Sequence, residues 1–406
     1  MIHALKQRMI VQLWMGQALS TIGDEIYRVG LTWIAVGLVG ADAGYLGAGQ
    51  AAALMTMSLV GGHWADRWSP VATMMRTDIA RAAFVMVPVI WSYFAPLNLG
   101  VLWFVSLSVA SLSAFFEPAM HSLLPVLAKD RKTLKAANGL MGTTFRLARM
   151  VGPTTVGLLA AWIPMIQFFS IDAVTFLISA LNIGSIHQQN PDVRSRTQVR
   201  ASFSQSVRSG FQLLNRHANV SPYYYVKLLT SGSWTFVIGL GLALFVKDLS
   251  TSGSVSDFGL TIASYGIGNF IGALFFGNYQ HGSPKLKVVG GYIVLGSAFI
   301  CASFCTSMTG VMSWLALAGF AGPVNDLGFL EITQQTFRGL ELQRIARVRI
   351  VIETASALAF LLLAPLLLKL VAVKWMIGFS GALWLLAAAY IQSRTADTTD
   401  GSEPLS

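Results

Sequence analysis

Charge placed where lipid should be is the first chemical signal in this chain. Residues 23–28, Gly-Asp-Glu-Ile-Tyr-Arg, interrupt an apolar run that opens MIVQLWMGQALSTI and resumes VGLTWIAVGLVG. Each ionised side chain at a helix centre costs roughly 2.5–3.5 kcal/mol to insert. Gly16, Ser20, Asp24 and Arg28 recur every fourth residue, so on a helix they share one face. Asp24 is spaced to pair with Arg28 at i+4, and Glu25 reaches Arg28 at i+3. A carboxylate in low dielectric beside a removable arginine can pass between charged and protonated forms. That is the chemistry of a proton-coupled carrier. Asp24 is the expected coupling acid, with Arg28 as its partner and Glu117 as second choice.

Other apolar runs hold Arg146, Arg149, Asp172, Lys227, Asp326, Glu331 and Glu353. Intramembrane charges usually face a bundle interior or a water path and carry function. The alternative is a set of salt bridges that fixes helix register, and for Arg146 and Arg149 both readings stay open.

Such residues need long apolar helices to position them. Of the 406 residues, 54% are hydrophobic and 11% charged, with mean hydropathy +0.61, against about 25% charged in soluble domains. Twelve apolar runs follow one another: 9–38, 44–65, 79–97, 99–117, 139–162, 165–186, 222–246, 257–277, 288–306, 311–331, 350–370 and 373–392. Each is about long enough to cross ~30 Å of hydrocarbon as a helix. When the connections are assigned alternately to two sides, one side, with both tails, carries twenty Lys and Arg and the other three. That bias expects both termini in the cytoplasm and a multi-pass protein of the cytoplasmic (inner) membrane. The net charge of +10 is thereby an orientation signal and not a nucleic-acid footprint. No small-residue cleavage site follows MIHALKQR, so the first span is expected to act as its own insertion signal. Cys301 and Cys305 read as small core residues without further metal ligands.

Residues 187–221 divide the spans six and six, giving halves at 1–186 and 222–392 and a polar, disordered tail at 393–406. Within the linker, Phe203, Val207, Phe211 and Leu214 form one stripe, which expects an amphipathic surface helix. The halves echo each other. Gly62 and Gly277 each precede a Ser-Pro, at Ser69-Pro70 and Ser283-Pro284, and Glu117 and Glu331 close matching spans. A duplicated six-span unit implies a pathway between halves.

Three stretches resemble the major facilitator superfamily. In GGHWADRWSP, Gly62, Asp66 and Arg67 match its loop signature, while Ser69, Pro70 and Val71 replace its glycine and basic positions. The resemblance implies that Asp66 latches the cytoplasmic span ends, with Arg76 as a substitute for the missing basic half. Asp78 and Arg81 follow at i, i+3, placed to pair at the membrane edge. In GLMGTTFRLARMVGPTTVGLL, Gly139, Gly152, Pro153 and Gly157 match the exporter motif, with Ala148 and Val156 in place of glycines. Small residues permit close helix approach, and a Gly-Pro step bends the helix. The stretch from Phe115 and Phe116 through Pro118, Ala119, Leu123, Leu124, Pro125, Ala137 and Asn138 resembles the drug:proton antiporter branch, which includes macrolide exporters and the enterobactin-type siderophore exporter. The resemblance is strong over 10–165 and thin afterwards.

The expected fold is all-α, twelve transmembrane helices in two pseudo-symmetric six-helix halves. The resemblance implies proton-coupled efflux of small amphipathic molecules, of antibiotic or siderophore class, by a chain acting as a monomer. Lysophospholipid movement between leaflets and proton-coupled uptake are the alternatives. Trp33, Phe115, Phe116, Tyr223, Tyr224 and Trp234 are candidate cavity aromatics, most of them better explained by packing. No nucleotide loop or clustered aspartates for a metal-bound diphosphate is present, so no enzyme, cofactor or metal is expected. YGIGNFIG has no preceding strand, and its Gly268 and Gly272 read as a helix-packing pair.

Overall fold

The computed structural model describes residues 5–65, 68–128, 130–189, 203–250, 254–277 and 282–394, with side chains except at 59–65, 187–189 and 203–205. Asp66 and Arg67 lie outside the described residues, and Gly62 lies on a helix whose side chains there are not described. The latch assigned to that loop therefore has no structural counterpart to report.

The first six long helices are α1 (Arg8–Val39), α2 (Ala43–Ala65), α3 (Pro70–Ser92), α4 (Leu99–Leu127), α5 (Arg131–Leu159) and α6 (Gln167–Gln189). The linker stripe becomes α7 (Phe203–Arg216). The segment Ser221–Leu249, α8, runs through Ser221–Tyr225, Lys227–Phe236, a π-helical turn at Val237–Gly241 and Leu242–Leu249. Then come α9 (Val255–Phe276), α10 (Pro284–Ser303), α11 (Met308–Thr336), α12 (Leu340–Leu368) and α13 (Val373–Arg394). Among the described residues nine stretches are long and apolar enough to cross a membrane, and the first, Arg8–Ser58, covers both α1 and α2. α3 and α5 fall short on composition, α3 through Arg76, Asp78 and Arg81 and α5 through Arg146 and Arg149 among its glycines and threonines.

Local chemistry explains the boundaries. Gly40, at φ +58°, turns the chain between α1 and α2 where a side chain would be strained. Asn98, Asp130, Ser254, Ser283 and Ser307 each accept a hydrogen bond from the backbone N–H three residues on. Both Ser-Pro pairs place proline in a first helical turn, of α3 and of α10. Several helices outrun their apolar runs. α3 starts at Pro70 and not 79, α4 reaches Leu127 and not 117, and α12 starts at Leu340 and not 350. Hydropathy marks only the lipid-crossing length, whereas backbone hydrogen bonding continues the helix through amphipathic turns.

Neighbour relations reveal the duplication. The packed pairs α1–α5, α1–α6, α2–α4, α3–α4 and α3–α6 recur as α8–α12, α8–α13, α9–α11, α10–α11 and α10–α13. The two main seams between halves, α5–α9 and α2–α12, exchange under the same shift. Glycines permit the closest approaches. Gly268 and Gly272 of α9 lie against the Ala316 and Phe320 carbonyls of α11, as the spacing expects. α7 packs one face on α12: Leu214 is buried and Gly210 abuts the Arg344 carbonyl, while Arg208, Gln212, Asn215 and Arg216 are exposed.

The halves meet closely along α5–α9, from Gly266 against the Arg149 carbonyl to the end of the bundle where α1 finishes. There Gly157 and Gly259 face each other across α5–α9, Ser256 donates a hydrogen bond to the Gly157 carbonyl, and Gly44 lies against Leu361 and Pro365. Trp33 stacks on Phe258 with ring centroids 5.4 Å apart. Toward the opposite end α5 leaves its neighbour. A Cβ added at Gly139 or Gly142 would meet nothing within 4 Å, and Phe145 and Arg146 are exposed.

Candidate functional site: a charged cavity between the halves

A cavity of about 490 Å³ opens between α1, α2, α4, α5, α8 and α12. Its walls are largely Leu, Ala and Gly. Glu25, Arg28, Glu117 and Arg149 gather in it, and Trp234 of α8 closes one side. A second space of about 260 Å³ shares Arg149, Trp234 and Thr235 with the first and continues into the C-terminal half. It carries Lys227, Asp326, Arg349 and Glu353. The two spaces form one path with four acids and four bases. The π-helical turn of α8 puts Ile238, Gly239 and Leu240 on the wall of the first space, and such turns concentrate at functional sites.

The charges are ordered. Arg28 Nε donates to Glu25 Oε2 at 2.9 Å, a second nitrogen of Arg28 pairs with the same oxygen, and Arg149 Nε lies 3.9 Å from Glu25 Oε1. Arg149 also sits 5.8 Å over the Trp234 ring, whose indole N–H donates to the Tyr265 hydroxyl at 2.9 Å. Across the path, Arg349 Nε donates to Glu353 Oε1 at 2.8 Å, with Lys227 Nζ 3.8 Å from the same oxygen. Arg349 and Lys227 each lie within 5 Å of the Phe329 ring centre. Glu117 is exposed and forms no ion pair among the described residues.

The Asp24–Arg28 pairing expected from spacing is not made. Glu25 takes Arg28, because the i+3 partner lies on the cavity side of α1 while Asp24 turns toward α3 and α6. Asp78 and Arg81 do pair, buried inside the N-terminal half. They are 0% and 3% exposed, and Arg81 lies 4.3 Å from the Phe116 ring centre and 4.5 Å from that of Phe176. Glu331 stands outside the cavity, held by Lys287 Nζ at 2.8 and 2.9 Å. Arg146 is exposed and unpaired among the described residues.

The exporter-motif glycines separate by environment. A Cβ on Gly152 would fall 2.5 Å from Glu25 Cβ and 3.1 Å from the Ile22 carbonyl, so this residue seats α1 on α5, with Pro153 inside the helix beside it. Gly157 touches Leu260 of the other half, and Gly139 touches nothing. Of the six candidate aromatics, only Trp234 lines the cavity. Phe116 covers Arg81, Trp33 stacks on Phe258, and Tyr224 hydrogen-bonds Thr333 at 2.8 Å.

Arg349 was missed because it stands at the edge of an apolar run and counts there as a loop cation. Its i+4 spacing to Glu353 was the available signal.

Exposure decides what the Glu25 pairs are for. The side chains of Arg28 and Arg149 are 40% and 57% exposed, so water screens both pairs. Pairs of this kind contribute up to about 1 kcal/mol. Glu25→Gln is therefore expected to change the thermal unfolding of detergent-purified protein only slightly, while adding one positive charge to the cavity. A large loss of stability would assign the pairs to folding.

Two bundles of six helices around a shared cavity define a transporter architecture. The profile of the Major Facilitator Superfamily matches residues 13–339, and the chain belongs to that family. It is 24% identical over 314 residues to the multidrug efflux pump Tap of Mycolicibacterium fortuitum, covering 74% of this chain and 75% of that one. It is 23% identical over 277 residues to macrolide efflux protein A of Streptococcus pyogenes, covering 66% of each. The fold superposes on the POT family transporter PepTSo with TM-score 0.77 at 12% identity, over 96% and 97% of the chains. A bacterial homologue of the iron transporter ferroportin, in an inward-facing state, gives TM-score 0.72 at 14% identity, over 95% and 98%. The protein is a multi-pass membrane transporter that handles small molecules, and not an enzyme. Its curated relatives support efflux in general.

Proposed function

We propose that this chain exports small amphipathic molecules, of antibiotic or siderophore class, across the cytoplasmic membrane in exchange for protons. The observation that carries the reading is the cavity itself: apolar walls with a few fixed charges, lying between the two halves. An apolar body gains by leaving water against Leu31, Leu46 and Leu54, while a polar or charged head meets Glu117 or Arg149. With both termini cytoplasmic by the basic bias, the splayed end faces the cytoplasm and the Gly157–Gly259 seam closes the outer end. Residues 1–186 and 222–392 act as the two rocking units, 187–221 tethers them, and the protein works as a monomer. Asp24 is the coupling acid.

The test is efflux from energised cells expressing the protein, over a panel of antibiotics, siderophores and lysolipids, with and without a protonophore. Protonophore-sensitive export of antibiotics or siderophores is the expected result. Movement of lysolipids alone overturns the cargo class, and unaffected export with the protonophore present overturns proton coupling.

A further inference from the structure

We propose that Asp24, Asp78 and Asp172, gathered around Arg81 inside the N-terminal half, form the proton-binding centre of this carrier, apart from the cargo cavity. The inference rests on the exchange reading above and deepens it. Asp78 on α3 and Asp172 on α6 are each 0% exposed, while Asp24 on α1 is partly exposed. The charge of Arg81 acts on all three, and those of Asp24 and Asp172 act on each other. Glu25 of α1 and Glu117 of α4 add their fields at Asp24. The Tyr27 hydroxyl faces Asp24 and Asp172, and Ser179 of α6 reaches Asp78. Arg149 of α5 stops at Glu25.

Charge counting supplies the argument. Arg81 pairs with Asp78, which leaves Asp172, fully buried, and Asp24, partly exposed, without a counter-charge of their own. Ionised and unpaired, a buried carboxylate such as Asp172 is among the costliest groups to bury. The hydrogen bonding shows the same deficit. Asp172 Oδ1 accepts from Thr175 Oγ1 at 3.3 Å, but Asp172 Oδ2, Asp78 Oδ2, Arg81 Nε and the Tyr27 hydroxyl are buried without hydrogen-bond partners. An ionised carboxylate only accepts, whereas a protonated one brings an O–H donor. A proton on the cluster removes the charge that an orphaned carboxylate oxygen would otherwise carry without a donor. No group of three His, Cys, Asp or Glu side chains converges as metal ligands among the described residues. Phe116 and Phe176 cover the Arg81 guanidinium, so it stays beside these acids while their charge changes.

One turn of α1 joins this centre to the cavity. A Cβ on Gly23 would fall 2.5 Å from Asp172 Oδ1, so α1 and α6 touch at the cluster. Asp24 faces inward, and Glu25, the next residue, lines the cavity against Gly152. Proton and cargo thus use different side chains of one helical turn. Loading the cluster changes the force between α1 and its neighbours without occupying the cargo path.

Infrared difference spectroscopy of the detergent-purified full chain reads protonated carboxyls directly through their C=O stretch. Spectra of wild type are taken across about pH 5–9, in H₂O and D₂O, with either sodium or choline chloride. The expected result is a pH-dependent carboxyl band that exchanges slowly with D₂O and is indifferent to sodium. Asp24→Asn and Asp172→Asn should each lose one component, whereas Glu341→Gln, at the exposed start of α12, should lose none. A wild-type spectrum without such a band overturns the proposal and leaves structural ion pairs. A band removed by sodium also overturns it, in favour of a metal cation. The wild-type result decides even where a variant fails to fold. No cargo is needed, so failure of the efflux reading and failure of this centre are separate outcomes.

Discussion

Gly152→Leu is expected to lower the thermal stability of the detergent-purified protein, and Gly139→Leu, on the same helix, to leave it unchanged. At Gly152 the first added carbon already lies 2.5 Å from Glu25 Cβ, 3.1 Å from the Ile22 carbonyl and 3.3 Å from the Ile26 nitrogen. Two of those atoms are backbone, so no rotamer change relieves the clash and α1 must move off α5. Overpacking of this kind costs about 1–3 kcal/mol, occasionally more. The same displacement moves Glu25 and its arginines within the cavity, so efflux should fall with stability. At Gly139 nothing lies within 4 Å. Equal melting of the two variants would show that the α1–α5 contact yields freely. Gly157 is as crowded as Gly152, but its neighbour is Leu260 of the other half. A bulky residue there is expected to separate the halves at their closed end, a shift in conformation more than in folding.

Asp24→Asn is expected to abolish uphill export while purified protein still binds a transported antibiotic. A proton crossing 100 mV releases about 2.3 kcal/mol, enough to sustain roughly a fiftyfold cargo gradient, since tenfold corresponds to about 1.4 kcal/mol. Asparagine keeps the shape of aspartate and cannot carry that proton. Accumulation in energised inverted vesicles should fall toward equality with the medium, while equilibrium binding stays close to wild type. Uphill transport at wild-type level in well-expressed Asp24→Asn protein removes Asp24 from the coupling role. The direction of its contacts, toward Arg81, Asp78 and Asp172, makes the failure of Arg28 as its partner consistent with a coupling role for Asp24.

Pairings that divide one carboxylate between two basic groups recur on both sides of the path. Glu25 stands between Arg28 and Arg149, and Glu353 between Arg349 and Lys227. The closing-span acids do not match in this way. Glu117 faces the cavity without an ion pair among the described residues, while its echo Glu331 is bound by Lys287. The duplicated scaffold has kept its helix pairings and let its charges diverge.

Composition and periodicity determined the class of this protein. Long apolar runs can satisfy their backbone in lipid only as helices, and the echo of Ser-Pro turns disclosed the repeated unit. The small residues of α5 and α9 marked close approach, which needs no knowledge of the partner. Spacing along one helix could not determine which way a charged side chain turns. Asp24 and Glu25 are adjacent in sequence and about 100° apart around α1; one meets the buried acids of α3 and α6, the other the cavity. Arg81 was legible as the i+3 partner of Asp78, but its enclosure by Phe116 and Phe176 required three helices to converge. Arg349 became a cavity residue only once α12 was seen to begin ten residues before its apolar run. Local propensity and lipid solvation act within one segment and can be read from it. The site is made where segments far apart in sequence meet, and only the packing of α1 against α3, α5 and α6 decided which charges face one another.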